Sequence, residues 1–423
     1  MRTHRAAVLT FDKKSKLQYL PYAELRADAQ GRIASLRPLP LPRGRRCERL
    51  LIPGLIDAHC HLSQYPAVAR DGLPLLPWLK KHIFPLEADF RAKKARPRAR
   101  AFFQELAANG TTFAAIYTSI WQDSTQVCFE EAERSGLRAI MGKVMMDRRS
   151  YGGAHGSLRG ENLTELSIRQ SCELCERWHG QGKGRLFYAF TPRFALSCSP
   201  ELLREAGRLA RRYGAFVQTH LSENRDEVAA VRREFPSARS YAEVYERAGL
   251  LGPRTILAHC IWLSQAERRL IARSGAAVAH CPTSNAFLGS GIMDLRRLRE
   301  GGIGLSLGSD VGAGPSLDMF EVMRQAVFGQ RLARAHGLMD GPAPDAREAF
   351  RLATLDGARS LGFADALGSL ETGKQADMVL LDRRAFEPRF CEDDSAQALV
   401  SRLVYRAGRS AVRETWVAGR RVY

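Results

Sequence analysis

From Pro53 onward, short apolar runs of β-strand character recur at intervals that leave room for a helix, and there are eight of them. They are GLIDAHCH (54–61), TTFAAIYT (111–118), LRAIMGKVMM (137–146), RLFYAFTPR (185–193), AFVQTHLSE (215–223), TILAHCI (255–261), AAVAHCP (276–282) and GIGLSLGSD (302–310). Between them, segments such as ARAFFQELAANG, PELLREAGRLARRYG and SQAERRLIARSG carry helical spacing and close at glycine. Eight strands alternating with helices place residues 53–366 in the α/β class as a (β/α)8, TIM-like barrel rather than an open sheet. Chemistry on such a barrel is expected at the C-terminal ends of the strands.

The flanks read differently. Residues 1–52 are extended and rich in turns, and the tail from 367 to 423 alternates apolar and polar residues with Gly-bearing turns. Together they are expected to form one small β-sandwich domain built from both chain ends. The stretch from 62 to 98, with GLPLLPWLKKHIFPLEADF inside it, is too long and too apolar for a plain connection. It reads as a lid or a partner-contact element.

Hydrophobic residues make up 45% of the 423, enough for a large core. The formal charge of +19 comes mostly from arginine, in clusters such as RGRRCER (43–49) and RAKKARPRAR (91–100). No helix-turn-helix, finger or RNP pattern accompanies them, and aromatics do not interleave. The reading is a solvated basic surface rather than a nucleic-acid site. Nine scattered cysteines do not suggest a disulfide framework. Cys172 and Cys175 form a single CxxC with no second pair to complete a zinc knuckle. With no signal-peptide core in MRTHRAAVLTFDKK and no apolar run long enough to span a bilayer, the chain reads as cytoplasmic.

Two histidines one residue apart, His59 and His61, end the first strand and can face the same side. Alone, the pair is as compatible with structural histidines as with a metal site. The other strand ends decide between these readings: His220 and Glu223 close the fifth, His259 the sixth, His280 the seventh and Asp310 the eighth. Five of the ten histidines thus fall on one face of one barrel, which core packing would not arrange. Imidazole and carboxylate suit a borderline divalent ion, with one position left open for water. His59, His61, His220 and Asp310 are the candidate ligands. Glu223, three residues past His220, is the candidate general acid/base. His259 either orients the nucleophile or stands behind the ligands, and His280 reads as structural or supporting. The HxE and PCxxC signature of cysteine-ligated nucleobase deaminases is missing.

PGLIDAHCHLSQYP, LPLLPWLKKHIFP, TPRFALSCS, THLSENRDEV, AHCPTSNAFLGSG and GSDVGAGPSLDM, in this order, resemble blocks of the metal-dependent amidohydrolase superfamily. Within it they closely resemble the guanine deaminases, and the likeness runs nearly end to end. The resemblance implies one Zn2+ per chain on His59, His61, His220 and Asp310. It also implies substrate contacts from Gln64, Arg193 and Phe194, with His220 beside the substrate as well. Zinc hydroxide would attack C2 of guanine, Asp310 accepting the water proton and Glu223 protonating N3, to leave xanthine and ammonia. Trp78 would form an apolar wall over the ring or a subunit contact, and homodimers are common in the family. Ser309 and Cys260 depart from the usual Thr and Gly without removing a reactive group. Two alternatives remain at this point: a sister enzyme for 8-oxoguanine or another purine or triazine, and a non-catalytic basic scaffold.

Overall fold

Strands buried on both faces need no polar side, and the barrel strands show this directly. Every residue of Leu55–His61 (β5), Thr111–Tyr117 (β6), Arg138–Gly142 (β7), Thr255–His259 (β11) and Ala277–His280 (β12) is buried. The structure is a computed structural model that describes residues 2–41, 46–149, 158, 161–388 and 393–423. With Leu186–Pro192 (β9), Phe216–Leu221 (β10) and Gly304–Leu307 (β13), these strands pair in parallel in the order β13-β12-β11-β10-β9-β7-β6-β5. Just past β13 the chain returns to β5, with Asp310 N–H donating to His59 O at 2.8 Å and His61 N–H to Val311 O at 2.6 Å. These bonds bring the two edges together, and the expected barrel is present.

The helices end where the sequence indicates. Ser199 caps Pro200–Tyr213, and Gly214 closes it at φ +59°. Ser264 and Glu267 form a capping box for Gln265–Ser274, which ends at Gly275 with φ +74°. The barrel floor is apolar: Ile56, Ala58, Phe113, Ala115, Ile140 and Phe216 pack with Leu361 and Leu367 from the chain that follows the barrel.

Both chain ends do contribute one β unit, and it takes the form of a single seven-stranded mixed sheet. Its strands are Arg2–Phe11 (β1), Leu17–Ala27 (β2), Ile33–Pro38 (β3), Arg49–Pro53 (β4), Met378–Asp382 (β14), Val412–Val417 (β15) and Arg420–Arg421 (β16). They run in the order β16-β15-β14-β4-β1-β2-β3. Two local readings change. The run at 137–146 splits into β7 and a short Val144–Met145 (β8). Within the tail, residues Ala396–Arg406 form a helix that buries Leu399, Val400, Leu403 and Val404, an i, i+4 pattern that strand alternation had obscured. A buried ion pair from Arg138 to Asp377, 2.6 Å at its shorter contact, ties the barrel to the sheet.

The basic run 91–100 opens the helix Ala92–Ala108, where Arg96 and Arg100 pair with Glu130 and Glu131 of the next helix. Residues 43–45 of the other cluster lie outside the described residues.

Candidate metal centre and active site

The site begins with an irregularity in β5. Three residue steps from Asp57 to Cys60 lie against two steps from Ala114 to Ile116 in β6, so β5 carries one extra residue. A bulge of this kind re-aims side chains. Ala58 still packs in the apolar floor, while His59 and His61 both turn into the mouth against the Tyr117 ring, at 5.0 and 4.5 Å between centroids. Cys60 points the other way, toward Ala115 O. The turns that carry other site residues are also unusual. His259 and Asp310 sit at φ +69° and +50°, a region that non-glycine residues adopt at a cost and that clusters at functional sites.

Four donor atoms converge. His61 Nε2 lies 3.2 Å from His59 Nε2 and 3.2 Å from His220 Nε2. Asp310 Oδ1 lies 3.2 Å from Nε2 of both His59 and His61. Tetrahedral ligands about 2.0–2.1 Å from a zinc ion stand about 3.4 Å from one another, so the spacing fits that ion. His220 Nδ1 donates to Arg193 O at 2.6 Å, which leaves the Nε2 lone pair for the cluster. Burial, the largest cause in each case, lowers the His59 pKa, takes His61 to about 3 and pushes His220 far down. Neutral imidazole is the form that binds metal. Burial acts to raise Asp310, yet its contacts with His59 and His61 outweigh it and hold the carboxylate well below its usual range.

His259 completes a larger group, since its ring, His59, His220 and Asp310 offer ligand atoms within 4.8 Å of one another. Its Nε2 stands 3.8 Å from Asp310 Oδ2 and 3.4 Å from Glu223 Oε2, and its Nδ1 meets Asn285 Oδ1 at 2.9 Å. Asp310 therefore shows one oxygen to the histidine pair, while the other takes a short hydrogen bond from Ser284 Oγ and faces His259. Glu223 is buried, and burial followed by the nearby charge of Asp310 raises its carboxyl well above the usual range. Its backbone N–H donates to Glu227 Oε2 at 2.8 Å, which in turn fixes the turn after β10. His280 is separate: it is buried, burial brings its pKa to about 3, and neither ring nitrogen has a hydrogen-bond partner among the described residues.

A small cavity opens beside these groups, bordered by His61, Gln64, Trp78, Arg193, Phe194 and Glu223. Of the candidate residues, Gln64, Trp78, Arg193, Phe194, His220, Glu223, His259 and Asp310 all reach it, and His59 stands behind them. Trp78 belongs to the long segment 62–98. It is buried, and its indole N–H donates to Arg70 O at 2.7 Å, so it forms a wall.

One residue escaped the sequence reading. Glu87, in the short helix Phe84–Ala88 within the segment 62–98, is fully buried against Arg193 and Gln64. The signal available was one of two acids in FPLEADF, and nothing local marks it as facing a residue 106 positions away.

Residues 50–422 match the model of the Amidohydrolase family, and the chain belongs to that family. Within it, the chain is similar to guanine deaminases. That of Escherichia coli (strain K12) is 37% identical over 380 residues, covering 89% of this chain and 83% of that protein. The Homo sapiens enzyme is 33% identical over 382 residues, covering 88% and 82%. A crystal structure of guanine deaminase from C. acetobutylicum with bound guanine in the active site superposes over 100% of both chains, with a TM-score of 0.89 at 30% identity.

Proposed function

We propose that this protein is a zinc-dependent guanine deaminase, converting guanine and water to xanthine and ammonia, with one zinc ion per chain on His59, His61, His220 and Asp310. The observation that carries this reading is the union in one cavity of the four-donor cluster with the Arg193 and Gln64 side chains. The guanine deaminases among its relatives and the guanine held by the solved neighbour support it.

A bound zinc would lower the pKa of its water from 15.7 to about 7. The remaining work falls to the chain. Arg193 donates to the C6 carbonyl oxygen of guanine, Gln64 meets the N1–H, and Phe194 and Trp78 flank the ring plane. Asp310 Oδ2, beside His259, accepts the proton released as the water oxygen bonds to C2. Glu223, whose carboxyl burial pushes well above its usual range, gives a proton to N3. Asp310 passes its proton to the exocyclic nitrogen, the C2–N bond breaks and ammonia departs, and the C2 hydroxyl proton returns to Glu223 as C2 becomes the carbonyl of xanthine.

Ammonia release measured across guanine, 8-oxoguanine, adenine and cytosine tests the reading. Guanine should give the highest kcat/KM, and absence of ammonia from every purine would overturn it. A homodimer is part of the same proposal. Phe328, Leu332 and Leu338, exposed along and just past the helix Met319–Ala335, support an apolar face between copies. Sedimentation at twice the monomer mass is the expected result.

A further inference from the structure

The Glu87 carboxylate lies fully buried at the back of the cavity, where its two oxygens serve different partners. Oε2 takes a short ion pair from Arg193 Nη1. Oε1 lies 3.0 Å from Gln64 Nε2 and 3.3 Å from Ser63 Oγ. Ser63 has a single hydroxyl hydrogen, and its closer acceptor is Thr118 O at 2.6 Å, so Gln64 is the main donor to Oε1. The helix end that carries Glu87 is itself held, with the Trp121 indole N–H shared between Ala88 O at 3.0 Å and Glu87 O at 3.2 Å. Phe84 packs near the Arg193 guanidinium, 5.2 Å from its ring centre.

A carboxylate only accepts hydrogen bonds, whereas an amide has a donating end and an accepting end. The amide nitrogen of Gln64 must therefore point at Glu87, and its Oε1 must point away. No group among the described residues donates to Gln64 Oε1, and Gln64 borders the cavity. Arg193 meets Glu87 through Nη1, has further N–H groups to donate, and borders the same cavity. The cavity then presents a donor from Arg193 and an acceptor from Gln64. This pair complements a lactam edge, a carbonyl oxygen beside a ring N–H. It opposes an amidine edge, an exocyclic amino group beside a bare ring nitrogen, in which donor and acceptor exchange places.

We propose that Glu87 is the specificity-setting positioning residue of this site, fixing the Gln64 amide and the Arg193 guanidinium so that the cavity selects 6-oxo over 6-amino purines. The inference rests on the guanine deaminase reading. The discriminating pair of substrates is guanine and 2,6-diaminopurine. Both carry the reacting amino group at C2, and they differ only in the edge that Gln64 and Arg193 would meet. In Glu87→Gln the amide at position 87 can donate as well as accept, so Gln64 is free to turn.

Steady-state kinetics of the zinc-loaded wild type, Glu87→Gln and Glu87→Asp on both purines test this, with zinc content and melting curves as folding controls. Glu87→Gln should retain zinc. Its preference for guanine over 2,6-diaminopurine should fall by about tenfold or more, the scale of one misdirected hydrogen bond, chiefly through a higher KM for guanine. Glu87→Asp, which restores an acceptor-only group, should recover part of the preference. A folded, zinc-loaded Glu87→Gln enzyme with the wild-type preference would overturn the proposal. Should that variant fail to fold, Gln64→Leu, which leaves the Glu87–Arg193 pair in place, carries the test. It should lose the same preference, and retention would overturn the proposal. A wild type inactive on guanine would instead defeat the functional reading, a separate outcome.

Discussion

His220 Nδ1 lies 2.6 Å from the main-chain carbonyl oxygen of Arg193. A single residue thus orients a metal-site histidine with its backbone and enters the substrate cavity with its side chain. The two functions are separable by mutation, because side-chain changes leave the carbonyl in place. Arg193→Lys keeps a cation opposite Glu87 and removes the planar fork. Zinc content should stay at the wild-type level while kcat/KM for guanine falls by about tenfold or more, corresponding to about 1.5–3 kcal/mol. Metal analysis alongside kinetics checks both halves, and a parallel loss of zinc would deny the separation.

Glu223→Gln keeps the shape of the side chain and its contact with Ser290 Oγ, now 3.2 Å from Oε1, but removes the exchangeable proton. Turnover should fall by about a hundred- to ten-thousand-fold, the usual contribution of a general acid/base. Zinc should remain bound. Near-normal turnover in this variant would remove Glu223 from the proton path.

The close approach of the chain after β13 to β5 supplies a test of the metal centre that replaces no ligand. A Cβ placed on Gly308 would stand 2.8 Å from His59 Cβ and 3.1 Å from His59 N, closer than side chains tolerate. Gly308→Ala should therefore displace His59 and weaken zinc binding, by about the 10- to 100-fold seen when ligand-orienting groups are lost. Competition against a chelating dye measures the change.

A pH-dependent effect is expected away from the active site. Lys143, between β7 and β8, is buried, and its ammonium has a hydrogen bond to Ser167 Oγ at 3.2 Å. Burial brings its pKa from 10.5 down to about 7 in the folded protein. Between those values the unfolded chain binds more protons than the folded one, so this group makes stability rise with pH. The slope approaches about 1.4 kcal/mol per pH unit, and the full penalty is present below the folded pKa. Lys143→Met should remove that slope and raise the denaturation midpoint at pH 7 and below. Denaturant melts from pH 6 to 10 would show it, and an unchanged pH profile would contradict it.

Much of this architecture was legible because buried parallel strands and capped helices leave strong local signals. Ser199 with Gly214, and Ser264 with Gly275, mark two helices almost to the residue. The histidines were legible for a related reason: a barrel gathers its strand ends, so His61, His220 and Asp310 meet although they are far apart in sequence. What could not be read was register and distant pairing. The extra residue in β5, which lets Ala58 face the floor while His59 faces the mouth, follows from pairing with β6. Alternation within β5 does not reveal it. Glu87 was hidden because its meaning depends on Arg193 and Gln64, brought to it by the fold of the segment 62–98. The tail helix Ala396–Arg406 was missed because its apolar residues also suit a strand.

The central claim is metal-dependent hydrolysis of guanine at the His59, His61, His220 and Asp310 cluster. Its most direct measurement follows ammonia and xanthine from guanine in 18O-labelled water, using enzyme stripped by a chelator and then reloaded with zinc. The expected result is loss of turnover on stripping and recovery near one zinc per chain. Ammonia and xanthine should form in equal amounts, with one labelled oxygen at C2. Xanthine formation at an unchanged rate in the metal-free enzyme, or none in the zinc-loaded enzyme, would contradict it.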